Sequence, residues 1–199
     1  MTTGFIGIGS MGMAMAVNLH RKGQQVCVYD IRDEALAAAR AHGIATCGSA
    51  AEVAAQSELV IIVVVNAKQI DEVLFGAGGA ARAAVGKTVM ICSTIAPEDT
   101  EAIAAKLAAL GVQMLDSPIS GGPARAEAGT MSIMLAGDDA TIALHQPVLD
   151  ALSDKIFRLG SRVGDGARYK LVNNLAAGIN LVGAAEVIAL GIKLGLDKD

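Results

Sequence analysis

Gly4-Phe5-Ile6-Gly7-Ile8-Gly9-Ser10-Met11-Gly12 is a short apolar strand that runs straight into G-x-G-x-x-G. A second apolar run, Val26-Cys27-Val28-Tyr29, ends in Asp30. Strand, glycine turn, helix and terminal acid in this order are the fingerprint of a dinucleotide site, and each part has a mechanical task. Gly7 permits the tight turn out of the strand. Gly9 has no side chain, so backbone can approach a pyrophosphate, and Gly12 lets the following helix, 11–22, pack closely on the sheet. That helix offers free N–H groups and a partial positive charge to the phosphates. Asp30 is placed to accept both hydroxyls of an adenosine ribose, which favours NAD because a carboxylate repels a 2′-phosphate. Arg32, two residues on, leaves NADP use open. Ile8, Ser10, Met11 and Ile31, with Val65 and Asn66 at the end of the apolar run 59–65, complete the expected cofactor contacts.

Composition sets the wider frame. Of 199 residues 53% are hydrophobic but only 3% aromatic, with no Trp, so the core must be Ala, Val, Ile, Leu and Met. That mixture suits buried parallel strands covered by Ala-rich helices. A net charge of −4 without any Lys/Arg cluster argues against nucleic acid as a partner. Cys27, Cys47 and Cys92 have no metal-ligand spacing, and His20, His42 and His145 are isolated. No metal is expected, the thiols read as buried and free in a reducing cytoplasm, and the histidines as surface or helix-end residues. No Lys or Arg precedes Arg21 and the glycine fingerprint breaks the apolar run, so no secretory start is expected. Residues 175–196 are strongly apolar, yet Asn180, Glu186 and Lys193 interrupt them, so a buried or dimer-facing helix is expected rather than a membrane span.

Apolar runs at 4–8, 25–30, 44–46, 59–65, 87–92 and 112–115 alternate with helical periods at 11–22, 33–42, 49–56, 67–75 and 97–110. Such alternation predicts right-handed β-α-β units and an α/β, Rossmann-type, doubly wound and mostly parallel sheet. Two more strands, 131–136 and 155–159, around a helix at 139–151 are expected to extend that sheet. From Val163 onward the sequence reads as one long helix, apolar nearly all round, which needs burial against something else. The expected division is a dinucleotide-binding domain over 1–162 and a long interdomain helix over 163–199.

Two further blocks carry chemistry. Asp116-Ser117-Pro118-Ile119-Ser120-Gly121-Gly122-Pro123 follows a strand, and its consecutive glycines and the Ser120 hydroxyl can cradle a carboxylate. Taken alone it is an ordinary Pro/Gly turn. In Gly164-Asp165-Gly166-Ala167-Arg168-Tyr169-Lys170-Leu171-Val172-Asn173-Asn174, Lys170, Asn173 and Asn174 share one helical turn. An ammonium and two carboxamides in an apolar helix are costly to bury without partners. In a cleft, the amides hold substrate oxygens and burial brings the lysine pKa down to a useful value.

Taken in order, these blocks resemble the β-hydroxyacid dehydrogenase family, of which 3-hydroxyisobutyrate dehydrogenase is a familiar type. The matching stretches are Gly7–Gly12 with Met15-Ala16-Val17-Asn18-Leu19, Ser93-Thr94-Ile95-Ala96-Pro97, Asp116–Gly122, Gly129-Thr130-Met131-Ser132-Ile133-Met134, and Gly164–Asn174. The resemblance implies NAD(P)-dependent oxidation of a small 3-hydroxy acid, or reduction of its aldehyde or ketone. It implies that Lys170 is the catalytic lysine, that Ser120, Gly121 and Gly122 hold the substrate carboxylate, that Asn174 is a substrate-binding amide and that Thr94 contacts the cofactor near the nicotinamide. It also implies a homodimer or homotetramer. Relatives continue past the long helix into an all-helical domain that closes over the substrate and supplies a further lysine. A chain ending at Asp199 is therefore expected to keep cofactor binding better than turnover. Two other functions fit the same blocks: a non-catalytic dinucleotide-binding interaction module, and an imine reductase on the same scaffold, although such relatives tend to replace the lysine.

Overall fold

The computed structural model describes residues 2–197. β1 (Thr2–Ile6), α1 (Ser10–Arg21), β2 (Gln25–Tyr29), α2 (Asp33–Ala41), β3 (Ala45–Thr46), α3 (Ala50–Gln56) and β4 (Leu59–Ile62) alternate strictly. α4 (Ala67–Phe75), β5 (Thr88–Ile91), α5 (Pro97–Ala108) and β6 (Gln113–Asp116) continue the pattern. The six strands pair in parallel in the order β3-β2-β1-β4-β5-β6. Alternate residues of each central strand feed opposite layers, which is why these strands are apolar throughout. Phe5, Leu59, Ile61 and Met90 pack with Met15 and Leu19 of α1. Ile6, Val60, Ile62, Val89 and Ile91 pack with Ile70, Leu74, Ile103 and Leu107 of α4 and α5.

The chain runs outward from β1 to β3 and then returns to β4 on the other side. That reversal opens a crevice at the carboxyl ends of β1 and β4, the place where open α/β sheets bind ligands. Both strands are shorter at this end than the apolar runs suggest. Gly7, at φ 85, ends β1 at Ile6, and Val63–Val65 leave β4 to wall the crevice.

The later strands depart from expectation. β7 (Ile119–Ser120), β8 (Ser132–Leu135) and β9 (Lys155–Arg158) form a separate three-stranded sheet instead of extending the first. β6 stops at Asp116, and the bridge between Asp116 and Ala136 is where the two sheets join. β7 runs antiparallel to β8, while β8 and β9 are parallel. A helix not anticipated, α6 (Gly122–Ala128), separates β7 from β8 and lies against α1. The helix expected over 139–151 is two, α7 (Asp139–Leu144) and α8 (Gln146–Leu152), because Pro147 sits in the first turn of a new helix. Asn18 of α1 and Lys22, the residue that ends it, both donate to the Ala151 carbonyl of α8, at 2.8 and 2.6 Å. The small sheet's helices are thereby tied to the helix that follows the glycine turn.

His145 joins α7 to α8, a helix end as expected, but it is buried rather than superficial. Its Nε2 lies 2.8 Å from the Thr88 hydroxyl, and burial lowers its pKa against the smaller opposing pull of Glu58. Cys27, Cys47 and Cys92 are buried free thiols, and burial pushes Cys47 up to about 12, which leaves it inert.

α9 (Asp165–Lys193) leaves the body of the molecule after its second turn. Only Gly166, Ala167 and Lys170 are buried, and from Leu171 onward its large apolar side chains are exposed. By length and composition alone α9 is able to cross a membrane, with a mean hydropathy of 1.9 over a window of which 0% is covered by the rest of the chain.

Candidate functional site

A cavity of about 670 Å³ occupies the crevice between β1 and β4. Gly7 and Gly9 form its floor, Tyr29 to Arg32 one side, and Val63 to Asn66 with Lys68 and Gln69 the other. The turn works as its sequence requires. A Cβ on Gly7 would lie 2.4 Å from the Val63 carbonyl oxygen, and one on Gly12 would lie 2.1 Å from the Gly7 carbonyl oxygen. Gly9 is different: the nearest atom to a Cβ there is Arg32 Nη2 at 4.0 Å, so its backbone is open to the cavity. Gly9 is also the N-cap of α1, no side chain caps that helix, and its first turn holds no acid. Uncapped N–H groups beside an open glycine are what a pyrophosphate requires. The residues present therefore fit a dinucleotide.

Asp30, almost fully buried at the end of β2, accepts the Ile8 N–H at 2.8 Å on Oδ2. Arg32 donates to it from its backbone N–H (3.0 Å), Nε (2.9 Å) and Nη2 (3.0 Å). Burial by itself raises the Asp30 pKa, but the Arg32 side chain and the Ile8 and Arg32 N–H groups together hold it below the usual value. The carboxylate is thus ionised at neutral pH. With Arg32 in this position both oxygens are engaged, and a ribose diol reaches Asp30 when the guanidinium turns outward. Ile31 and Val65, apolar yet 82% and 78% exposed, stand on the two rims as faces for a flat ring. Asn66 acts on the protein itself: its side chain accepts the Gln69 N–H at 2.9 Å, and Gln69 Oε1 accepts the Val65 N–H at 2.9 Å. This capping exchange fixes the rim, and the N-x-x-Q spacing was its signal in the sequence.

The remaining candidates lie outside this wall. Ile8 is buried behind it, while Ser10, Met11 and Gly12 form the first turn of α1. Thr94 is exposed between β5 and α5. Ser120, half-buried, ends β7, and Gly121 and Gly122 make the sharp entry to α6 at φ 125 and 77. Lys170 lies near the start of α9, which packs on β6 and β8. Its side chain is 7% exposed, no hydrogen bond or ion pair reaches it among the described residues, and burial lowers its pKa. Asn173 is half-buried and Asn174 exposed. Tyr169, beside the lysine, stacks on Phe157 of β9 with ring centroids 6.4 Å apart.

One residue in this region carries more than its sequence suggested. Asp116, buried at the end of β6, accepts the N–H groups of Gly164 (2.8 Å) and Ala167 (3.1 Å) on Oδ2. Beside it, Arg162 and Arg168 both donate to Glu101 of α5, at 3.1 and 2.7 Å. The start of α9 is therefore tied to β6 on the inside and to α5 on the outside.

Residues 2–160 match the family described as the NAD binding domain of 6-phosphogluconate dehydrogenase. The chain is 42% identical over 197 residues to the L-threonate dehydrogenase of Cupriavidus necator, a match covering 98% of this chain and 66% of that protein's length. The crystal structure of 3-hydroxyisobutyrate dehydrogenase from Salmonella typhimurium superposes with a TM-score of 0.88 at 38% identity, covering 98% of this chain and 68% of that one. Psf3, solved in complex with NADP+, superposes with a TM-score of 0.91 at 30% identity, covering 98% of this chain and 69% of that one.

Proposed function

Because the chain belongs to the family of the 3-hydroxyisobutyrate and L-threonate dehydrogenases and comprises its NAD(P)-binding domain, we propose that it serves hydride transfer between a nicotinamide cofactor and a small 3-hydroxy acid. The observation that carries this proposal is Lys170: a buried amine with no acidic partner among the described residues, its pKa lowered by burial. A lysine on the surface needs no such placement. A lysine that must give and take a proton near neutral pH does.

The glycine turn and the N-terminus of α1 hold the pyrophosphate, and Asp30 takes the ribose hydroxyls. The bound nicotinamide supplies the hydride acceptor for oxidation and the donor for reduction. In oxidation the neutral amine of Lys170 accepts the hydroxyl proton. In reduction its ammonium returns that proton and stabilises charge on the oxygen. Ser120, Gly121 and Gly122 take the substrate carboxylate, and Asn173 and Asn174 offer carboxamides one turn beyond the lysine. The test is a spectrophotometric screen of NAD and NADP reduction against 3-hydroxy acids, with Lys170→Ala alongside. Lysine-dependent turnover of one acid supports the proposal. Turnover that survives Lys170→Ala unchanged refutes the role given to the lysine.

We propose NAD as the preferred cofactor, since Asp30 is ionised and sits where a 2′-phosphate would lie. NADP binding then requires Arg32 to leave Asp30 and meet the phosphate. Arg32→Ala is accordingly expected to weaken NADPH by about tenfold or more, the worth of one charge-assisted pair, and to spare NADH. Fluorescence titration with both nucleotides checks this, and equal losses for the two would contradict it.

The uncovered apolar length of α9 supports self-association as a homodimer or homotetramer. Sedimentation velocity of the chain, with Val182→Glu beside it, is expected to give an assembled species that the charge dissociates. A monomer in both samples would rule this out.

A further inference from the structure

We propose that Asp116 is the positioning residue for Lys170: from the end of β6 its carboxylate replaces the missing local cap of α9 and fixes the turn on which the lysine stands. This deepens the dehydrogenase proposal and rests on the acid–base role of Lys170. α9 begins at Gly164, in a left-handed conformation (φ 101) and without a side chain to offer its first turn. Orphan N–H groups at a buried helix start need an acceptor. Asp116 provides one oxygen for two of them, Gly164 and Ala167, from a strand far back in the chain. Ala167 lies three residues and Gly166 four residues before Lys170, so the capped edge of the first turn and the lysine share one face.

The anchor itself is fixed. The Asp116 backbone exchanges both of its hydrogen bonds with Ala136, at 3.0 and 2.9 Å, and the residue is 1% exposed. Gly166 allows the helix to settle directly on this junction. A Cβ there would lie 2.7 Å from the Met134 carbonyl oxygen and 2.9 Å from that of Asp116. Asp116 is also the first residue of the segment leading to Ser120, Gly121 and Gly122. The carboxylate thus sets the origin of the lysine helix, while the backbone of the same residue, paired with Ala136, leads into the candidate carboxylate-binding turn.

Burial, with a smaller push from the neighbouring Asp165 charge, raises the Asp116 pKa against the opposing pull of the Ala167, Gly164 and Gly166 N–H groups. The charge is therefore held at a net cost to the folded chain, and Asp116→Asn is expected to fold at least as well. Burial is also what lowers Lys170. The Asp116 carboxylate meets the helix backbone at Gly164 and Ala167, so its influence on the lysine is assigned to the placement of the helix.

The experiment compares the wild-type chain with Asp116→Asn, Asp116→Ala and Gly166→Ala. Lys170 acylation by an amine-reactive reagent is followed across pH by peptide mass, beside NADH affinity and, on the acid that the wild type turns over, kcat and KM. Asp116→Asn keeps an acceptor oxygen and is expected to retain kcat and slow acylation. Asp116→Ala is expected to lose about 100-fold in kcat, the usual cost of a misplacement near 1 Å. It also acylates faster at high pH, with the pH limb moved up toward that of an exposed lysine, and with NADH affinity and KM unchanged. Gly166→Ala should follow the alanine variant although Asp116 is intact. Wild-type acylation and kcat in Asp116→Ala would overturn the proposal. So would equal damage in Asp116→Asn with a displaced pH limb, which would mean that the charge acts on the lysine directly. If wild-type turnover proves independent of Lys170, the dehydrogenase proposal fails, while the acylation profiles still decide whether Asp116 places the lysine.

Discussion

Lys170→Met is expected to cut turnover by about 10²- to 10⁴-fold, the range for loss of a general acid–base group, while raising the melting temperature. Methionine keeps the unbranched stem and removes the charge that burial penalises. The sign follows from the direction of the shift. The folded chain holds Lys170 below its ordinary value of 10.5. Below the depressed value the amine is charged in both states, and the folded chain bears the full cost of burying it. Between the depressed value and 10.5 the unfolded chain binds the extra proton, so wild-type stability recovers as pH rises. The advantage of the methionine variant is thus largest below the depressed value and shrinks as pH rises from there toward 10.5. The alkaline rise of the oxidation rate, which reports the amine losing its proton, should vanish in the variant. Thermal melts across pH, beside kcat at the same values, measure both effects. A variant as active as the wild type would remove Lys170 from the mechanism, and one that melts lower would contradict the cost assigned to burying its charge.

Gly12→Ala is expected to abolish cofactor binding and to destabilise the fold by about 1–3 kcal/mol, the usual cost of forcing volume into a packed site. The obstacle is backbone: a Cβ at this position lies 2.1 Å from the Gly7 carbonyl oxygen, and no side chain can swing aside to relieve it. α1 must back away from the glycine turn, taking the N–H groups of its first turn out of reach of a phosphate. Gly9→Ala is the control that separates the two effects. Its methyl meets nothing closer than Arg32 Nη2 at 4.0 Å, so the fold is kept, but it stands where the pyrophosphate must approach. NADH titration and thermal melts should therefore lose both signals in the first variant and only binding in the second. Wild-type affinity in Gly12→Ala would show that the turn is not the phosphate cradle.

The parallel sheet was legible because its strands are buried on both faces. Runs such as Leu59-Val60-Ile61-Ile62 admit few other structures, and the glycines around them mark the turns. The region after Asp116 was less so. β7 is two residues long, too short to leave a period, and the start of α6 looks like a continuing loop. Its signal was Pro123, placed in the first helical turn, and Pro147 marks the start of α8 in the same way. In the site, the glycine turn and Asp30 could be named from spacing alone. The grip of Arg32 on Asp30 could not, because it depends on which way a long side chain folds back. Asp116 was hidden for a different reason: its partners are N–H groups of residues far along the chain, and backbone leaves no mark in the sequence. The local hint was negative, a helix beginning at Gly164 with no capping side chain.

The two tyrosines give the molecule an optical property of its own. Tyr29 lines the nucleotide cavity, and Tyr169 is stacked on Phe157 next to the lysine. With no tryptophan in the sequence, these two rings dominate the chain's ultraviolet emission. One stands at each end of the chemistry. A dinucleotide entering the cavity is expected to dim the first and a shift of the long helix to disturb the second, and single Tyr→Phe replacements assign each signal without any attached dye.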